Sequence, residues 1–170
     1  PFLGQARGDR SILDAGCGTG LGAPFLKPHA RVLHGVDLSQ GMLDKAAARA
    51  VYDALDRAEL TAYLQRPEAA FDLVFAADVL CYFGALEEVF RATHRALVAG
   101  GAFAFSLERA AEAPGGYRLN PSGRYAHDQS YVTGALAAAG FTLKELQVET
   151  LRTEYGEPVK GFVMLALRAG

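Results

Sequence analysis

Ile12-Leu13-Asp14-Ala15-Gly16-Cys17-Gly18-Thr19-Gly20 is the stretch on which the fold turns. Ser11 to Ala15 is an apolar run of strand length, and it feeds three glycines at alternate positions. Glycine admits positive φ and lets a ligand approach the main chain closely. Leu21 to Lys27 then reads as a helix that Pro28 ends, and its free N–H groups would face the ligand. Val32 to Asp37 reads as a second strand. It ends in Gly35-Val36-Asp37-Leu38-Ser39, where an acid can accept hydrogen bonds from both ribose hydroxyls of a nucleoside.

Working outward, strand-length and helix-length patterns alternate. Gly41 to Ala50 is expected to be helical with Ser39 as its N-cap, and Ala54 to Ala58 to be a short third strand. Phe71 to Ala76 is nearly all apolar, as buried parallel strands are. Leu86, Val89, Phe90, Thr93 and Leu97 share one helical face. Ala99-Gly100-Gly101 breaks that helix before a fifth strand, Ala102 to Leu107. Glu108 to Arg124 has Pro114, Gly115, Gly116, Pro121 and Gly123 but no periodicity, and reads as a long loop. Asp128 to Ala139 reads as a helix ended by Gly140. Phe141 to Leu151 and Phe162 to Leu167 read as a final antiparallel pair. The alternation implies an α/β fold, with helices on both faces of a mostly parallel sheet. Ligands of such sheets sit beyond the carboxyl ends of the strands.

Composition narrows the function classes. The 170 residues are 51% hydrophobic and 21% charged, with a net charge of −2. That is enough chain for one domain with a sizeable core. The charge balance disfavours a general nucleic-acid binder. No apolar run approaches the roughly 20 residues of a membrane span. The two cysteines, Cys17 and Cys81, form neither a disulfide framework nor a metal motif, and a reduced cytoplasmic setting is the simplest expectation. No metal site is expected.

A dinucleotide fingerprint starting at Gly16 would need glycine at 21, where Leu21 stands. The pattern is D-x-G-x-G-x-G, and the acid before the first glycine suits a ligand with a cationic amino-acid end. Asp14 to Gly20 resembles the cofactor loop of class I S-adenosylmethionine-dependent methyltransferases. Gly35 to Ser39 with Met42-Leu43-Asp44-Lys45-Ala46 is similar to their second motif, and Phe71-Asp72-Leu73-Val74-Phe75 to their fourth strand. Leu119-Asn120-Pro121-Ser122-Gly123-Arg124-Tyr125-Ala126-His127 resembles predicted bacterial methyltransferases often fused to tetratricopeptide repeats; no such repeat is present in this sequence.

The resemblance implies a Rossmann-like, doubly wound sheet of seven strands with the last antiparallel. It implies S-adenosylmethionine as cofactor, with S-adenosylhomocysteine as product. Gly16, Cys17, Gly18 and Gly20 would cradle the methionine part and Asp14 its ammonium. Asp37 would hold the ribose, and Leu38, Ser39 and Met42 would flank the adenine. Glu59 and Leu60 would reach the adenine edge, and Ala76, Ala77 and Asp78 would close the site after the fourth strand. Tyr82 falls where family members place an aromatic or His facing the methyl. His127 is the first candidate for a general base, since histidine titrates near neutrality, and Glu108 the second. Arg124 is a candidate partner for an anionic substrate. His29, His34 and His94 fall in helical or strand patterns and read as structural. The missing Asn-Pro-Pro-Tyr disfavours amino-group methylation of nucleobases or Gln. The acceptor is expected to be a small molecule, with its reacting atom open. Residues 1–170 are expected to be one methyltransferase domain without the N-terminal helical cover that members carry. Two alternatives stay open: a nicotinamide-dependent oxidoreductase, and a module that binds the cofactor without catalysis.

Overall fold

The computed structural model describes residues 3–154 and 156–170. In chain order the elements are β1 (Arg10–Ala15), α1 (Ala23–Leu26), β2 (Ala30–Asp37), α2 (Gln40–Ala47), β3 (Ala54–Arg57), α3 (Leu60–Leu64) and β4 (Phe71–Ala76). There follow α4 (Glu87–Ala96), β5 (Leu97–Arg109), β6 (Tyr117–Leu119), β7 (Tyr125–His127), α5 (Gln129–Ala138), β8 (Phe141–Glu154) and β9 (Glu157–Arg168). Short 3₁₀ turns cover Lys27–His29 and Leu80–Tyr82. Strands β3, β2, β1, β4 and β5 lie side by side and parallel. β9 pairs antiparallel with β5, and β8 with β9. The expected doubly wound α/β sheet with an antiparallel last strand is the fold observed.

Packing follows from the alternation of side chains along β5. Phe103 and Phe105 point to one face, stacked with centroids 4.4 Å apart, and Phe90 of α4 meets Phe103 edge-on at 5.7 Å. Fully burying one such ring contributes about 1.5–3 kcal/mol. Thr93, on the same helix face, stays satisfied because its hydroxyl donates to the Val89 carbonyl at 2.8 Å. Ala104 faces the other way, into a smaller cluster with Ile12, Leu26, Leu33 and Leu73.

Four details differ from the sequence reading. Ala99-Gly100-Gly101 does not precede β5 but bulges within it: Leu97 pairs Phe71, and the ladder resumes at Leu73 with Ala102. Gly100, at φ +74, allows the excursion. The Glu108–Arg124 loop holds β6, and β7 follows it, giving nine strands among the described residues rather than seven. β7 runs parallel to the last two residues of β5, beyond the end of β4, while β9 still pairs Glu108. β8 and β9 are longer than expected, forming a hairpin arm. The first helix is a single turn, because Gly20 and Gly22 delay its start and Pro28 joins a 3₁₀ turn after it.

The strand order reverses between β1 and β4, since β2 and β3 lie to one side and β5 to the other. The crevice above that reversal is where a ligand of such a sheet belongs.

Candidate active site

The foot of the crevice is built by β1. Flanked by β2 and β4, it buries Asp14 to 4% exposure, an unusual place for a carboxylate. Tyr52 donates its hydroxyl to Asp14 Oδ2 at 2.6 Å. Burial pushes the Asp14 pKa up to about 6, with the Tyr52 hydrogen bond opposing and the charge of Asp37 adding. A cation brought to this carboxylate would restore its ionisation.

The glycine loop is pinned to the end of β2. Cys17 N–H donates to the Val36 carbonyl at 3.0 Å, and Gly18 N–H to Asp37 Oδ2 at 2.9 Å. Gly16 sits at φ +66, and a Cβ there would lie 2.4 Å from Val79 Cγ2, so only glycine fits. A Cβ on Gly18 would meet no protein atom within 4 Å; this backbone is open to a ligand. The Cys17 thiol is pushed up to about 12, first by burial and then by Asp14 and Asp37, so it is no nucleophile.

Asp37 uses one lone pair of each oxygen on the protein, since Oδ1 accepts from Ser39 N–H at 2.9 Å. The remaining lone pairs are free for two donors. Ser39 caps α2 through Met42 N–H, as the sequence implied. Beside them Leu38 and Met42 present exposed apolar surface. Glu59 caps α3, with one oxygen accepting from Thr61 N–H at 2.9 Å and the other from Ala62 N–H at 2.7 Å.

Beyond β4 the chain turns through Asp78, a non-glycine residue at φ +55. Such strain persists only where the surroundings hold it, and it clusters at functional sites. Asp78 N–H donates to Ser106 Oγ at 3.0 Å, and Arg152 of β8 donates to Asp78 Oδ1 at 3.0 Å. Arg152 also pairs Glu108 and, at 2.7 Å, Glu154, which in turn pairs Arg124 at 2.6 Å. The Arg124 guanidinium lies 5.7 Å from the Tyr82 ring centroid.

A cleft of about 670 Å³ brings most of the expected residues together. Asp14, Gly16, Cys17, Gly18, Asp37, Leu38, Ser39, Met42, Glu59, Leu60, Ala77, Asp78 and Tyr82 all line it. Gly20 does not; it packs against Tyr52 and Arg49 behind the loop. Ala76 does not either, being buried at the end of β4. Phe75, Val79 and Phe83 line the cleft without having been expected there, for apolar side chains beside a strand end carry no distinguishing pattern.

The two candidate bases are not in the wall. His127 is fully buried, with Nε2 at 3.0 Å from the Gly84 carbonyl, which can only accept. The ring forms a triangle with those of Tyr117 and Tyr131, and burial lowers its pKa. Its Nδ1 has no protein partner among the described residues. β7 carries His127 into the interior, against the Gly84 carbonyl and the two tyrosines, instead of toward the cleft. Glu108 is 4% exposed, held by Arg152 and by Asn120 Nδ2 at 3.0 Å. Its carboxylate neutralises Arg152 and is not available as a base. Arg124 pairs Glu154 through Nη1, while its Nε has no protein partner among the described residues.

Comparison with known proteins completes the picture. A family model described as a methyltransferase domain matches residues 13–105. The human methyltransferase-like protein 27 is 45% identical over 71 residues, covering 41% of this chain and 29% of its own length. A protein of Mycolicibacterium smegmatis named probable S-adenosylmethionine-dependent methyltransferase is 31% identical over 139 residues, covering 80% of this chain and 53% of its own. The chain thus spans about half or less of these curated relatives. A crystal structure of an S-adenosylmethionine-dependent methyltransferase from Mesorhizobium loti superposes with a TM-score of 0.74 at 26% identity, over 98% of this chain and 94% of that one. The glycine loop, Asp37 and the β4 exit all lie within or beside the matched span, and the chain belongs to the methyltransferase domain family, with the fold of its S-adenosylmethionine-dependent class.

Proposed function

We propose that this domain takes S-adenosylmethionine into the cleft between β1 and β4 and passes its methyl to a small-molecule acceptor. The observation that carries the reading is the pair Asp14 and Asp37 in one cleft: a buried acid whose ionisation a cation would restore, and an acid with lone pairs left for two hydroxyls. The residues fit the group. Asp14 would hold the ammonium, the open backbone at Gly16 and Gly18 the methionine chain, and Asp37 the ribose. Leu38 and Met42 would cover the adenine with their exposed apolar surface, beside Glu59 and Leu60.

When bound, the sulfonium supplies a methyl that is already activated for in-line displacement. The protein's task is then alignment and exclusion of water, and alignment alone can supply about 7–11 kcal/mol. Tyr82, Val79 and Phe83 add apolar and aromatic wall to the cleft. With His127 and Glu108 withdrawn, no dedicated imidazole base takes part, and the proton leaves through Asp78 or solvent. That withdrawal also favours, as a second reading, a module that binds the cofactor without catalysis. Residues 1–170 act as one domain in either case. Among the described residues no helix is long and apolar enough to cross a membrane. A bacterial, cytoplasmic enzyme is in keeping with the cysteine usage and with the Leu119–His127 stretch, which is like methyltransferases fused to tetratricopeptide repeats.

Thermal shift with S-adenosylhomocysteine and with NAD tests the reading. S-adenosylhomocysteine is expected to raise Tm and NAD to leave it unchanged. Stabilisation by NAD alone would overturn the proposal. Tight cofactor binding with no methyl transfer to any of a panel of small molecules would favour the second reading.

A further inference from the structure

A second cavity of about 570 Å³ adjoins the cleft and shares Phe75, Ala77 and Asp78 with it. Its walls are mainly apolar, with Phe105, Leu151 and Met164 among them, and Phe25 of α1 lies exposed at its side. The ionisable or hydroxyl side chains that line it are His29, Asp78, Ser106 and Arg152. Two of these are already spent. Ser106 Oγ accepts from Asp78 N–H, and each guanidinium nitrogen of Arg152 holds an acid. Asp78 is different. Its Oδ1 takes Arg152 and lies 3.8 Å from the Cys81 thiol, whereas its Oδ2 has no protein partner among the described residues. The carboxylate therefore stands between the two cavities with one oxygen unoccupied. Around it, three acids (Asp78, Glu108, Glu154) face two guanidinium groups (Arg124, Arg152), so the rim keeps a surplus negative charge.

Resting on the methyltransferase reading, we infer that Asp78 recognises the methyl acceptor: Oδ2 receives an amine borne on an apolar body that lies in the second cavity. The apolar walls select the body. The unspent oxygen and the surplus charge select a cationic donor and disfavour a carboxylate, which would meet a like charge. The turn at Asp78 aims this oxygen, held from behind by Ser106 and Arg152. The sequence alone placed Asp78 with the cofactor; the shared wall moves it to the acceptor.

The test uses the whole chain in two stages. Calorimetry with S-adenosylhomocysteine comes first, and absence of binding there would count against the methyltransferase reading rather than this one. The saturated protein is then titrated, by chemical-shift perturbation, with 2-phenylethylamine, 2-phenylethanol and 3-phenylpropionate at up to millimolar concentrations. The amine is expected to bind at least about tenfold more tightly than the carboxylate, as one charged hydrogen bond implies. Asp78→Asn should erase that preference in protein that calorimetry shows to be saturated with S-adenosylhomocysteine; asparagine tolerates positive φ, so the fold survives. Phe25→Ala, an exposed position, should weaken the amine and the alcohol alike. The inference is overturned if the amine does not bind, if the carboxylate binds as well, if the preference survives in Asp78→Asn, or if Phe25→Ala changes nothing.

Discussion

Tyr52 and Asp14, 38 residues apart, meet at 2.6 Å beneath the glycine loop, and the hydroxyl is the one protein hydrogen bond that the buried carboxylate receives among the described residues. The hydrogen bond favours the ionised form, burial disfavours it, and burial prevails, leaving the pKa at about 6. In the unfolded chain the ordinary value near 3.8 returns. The folded value is the higher one, so as pH rises from about 4 to about 6 the unfolded state ionises first and stability falls. The full difference corresponds to roughly 3 kcal/mol. Asp14→Asn should flatten that limb of the stability–pH curve, measured by urea denaturation across the range. Tyr52→Phe should move the limb to higher pH.

The same linkage predicts proton release on binding. A ligand ammonium would lower the Asp14 pKa, so near pH 6 S-adenosylhomocysteine should expel a fraction of a proton, and near pH 8 almost none. Calorimetry in two buffers of different ionisation enthalpy reads this directly. Equal heats in both buffers at pH 6 would detach Asp14 from the ammonium.

Asp37→Ala should weaken S-adenosylhomocysteine by at least about 10–100-fold, the loss of a single charged hydrogen bond at roughly 1.5–3 kcal/mol. The substitution also frees Gly18 and Ser39 N–H, so Asp37→Asn separates the effects by keeping one acceptor. An unchanged Kd in both variants would remove the ribose assignment.

Gly16→Ala faces two penalties, a positive φ and a Cβ 2.4 Å from Val79. Backbone strain of this kind costs about 1–3 kcal/mol. Gly16→Ala with Val79→Ala should recover only a small part of the lost Tm, because the second change removes the 2.4 Å contact with Cγ2 but leaves Val79 Cβ at 2.6 Å and the φ strain.

These relationships also mark what a sequence can disclose. The strand, the glycines and Asp37 lie within 27 residues, Ser11 to Asp37, and each leaves a local sign: an apolar run, a glycine spacing, an acid at a strand end. The helix cap at Ser39 is equally local and was legible. Tyr52 left no sign, because its partner lies on another strand. Arg152 and Asp78 are 74 residues apart and meet only because the β8–β9 arm folds back over the end of β4. His127 was misread for the same reason: its burial depends on Tyr117, Tyr131 and the Gly84 carbonyl, none adjacent in sequence. β6 and β7, at three residues each, are too short to show a period.

His127→Ala should consequently act on stability and spare cofactor binding. It opens a cavity beneath the tyrosines and strands the Gly84 carbonyl, at a cost of about 2 kcal/mol or more. Burial holds the folded pKa below the ordinary 6.5. The stability tied to its neutral form is complete above 6.5 and is lost as pH falls through the folded value. Asp14 has the opposite slope, so Asp14→Asn and His127→Ala should remove opposite limbs of the curve. A lowered turnover with unchanged Tm in His127→Ala would return this residue to the chemistry.

Arg152→Met is the severest change expected. Glu108 is almost fully buried, and Arg152 supplies its only cation among the described residues. Removing one partner of a buried pair costs roughly 3–5 kcal/mol, because the remaining charge stays desolvated. Denaturant midpoints of Arg152→Met should fall by a corresponding amount at neutral pH. Glu108→Gln added to Arg152→Met should restore most of the loss, since the amide leaves no charge to bury. A double variant no more stable than Arg152→Met alone would show that the arginine acts through Asp78 or Glu154 rather than through Glu108.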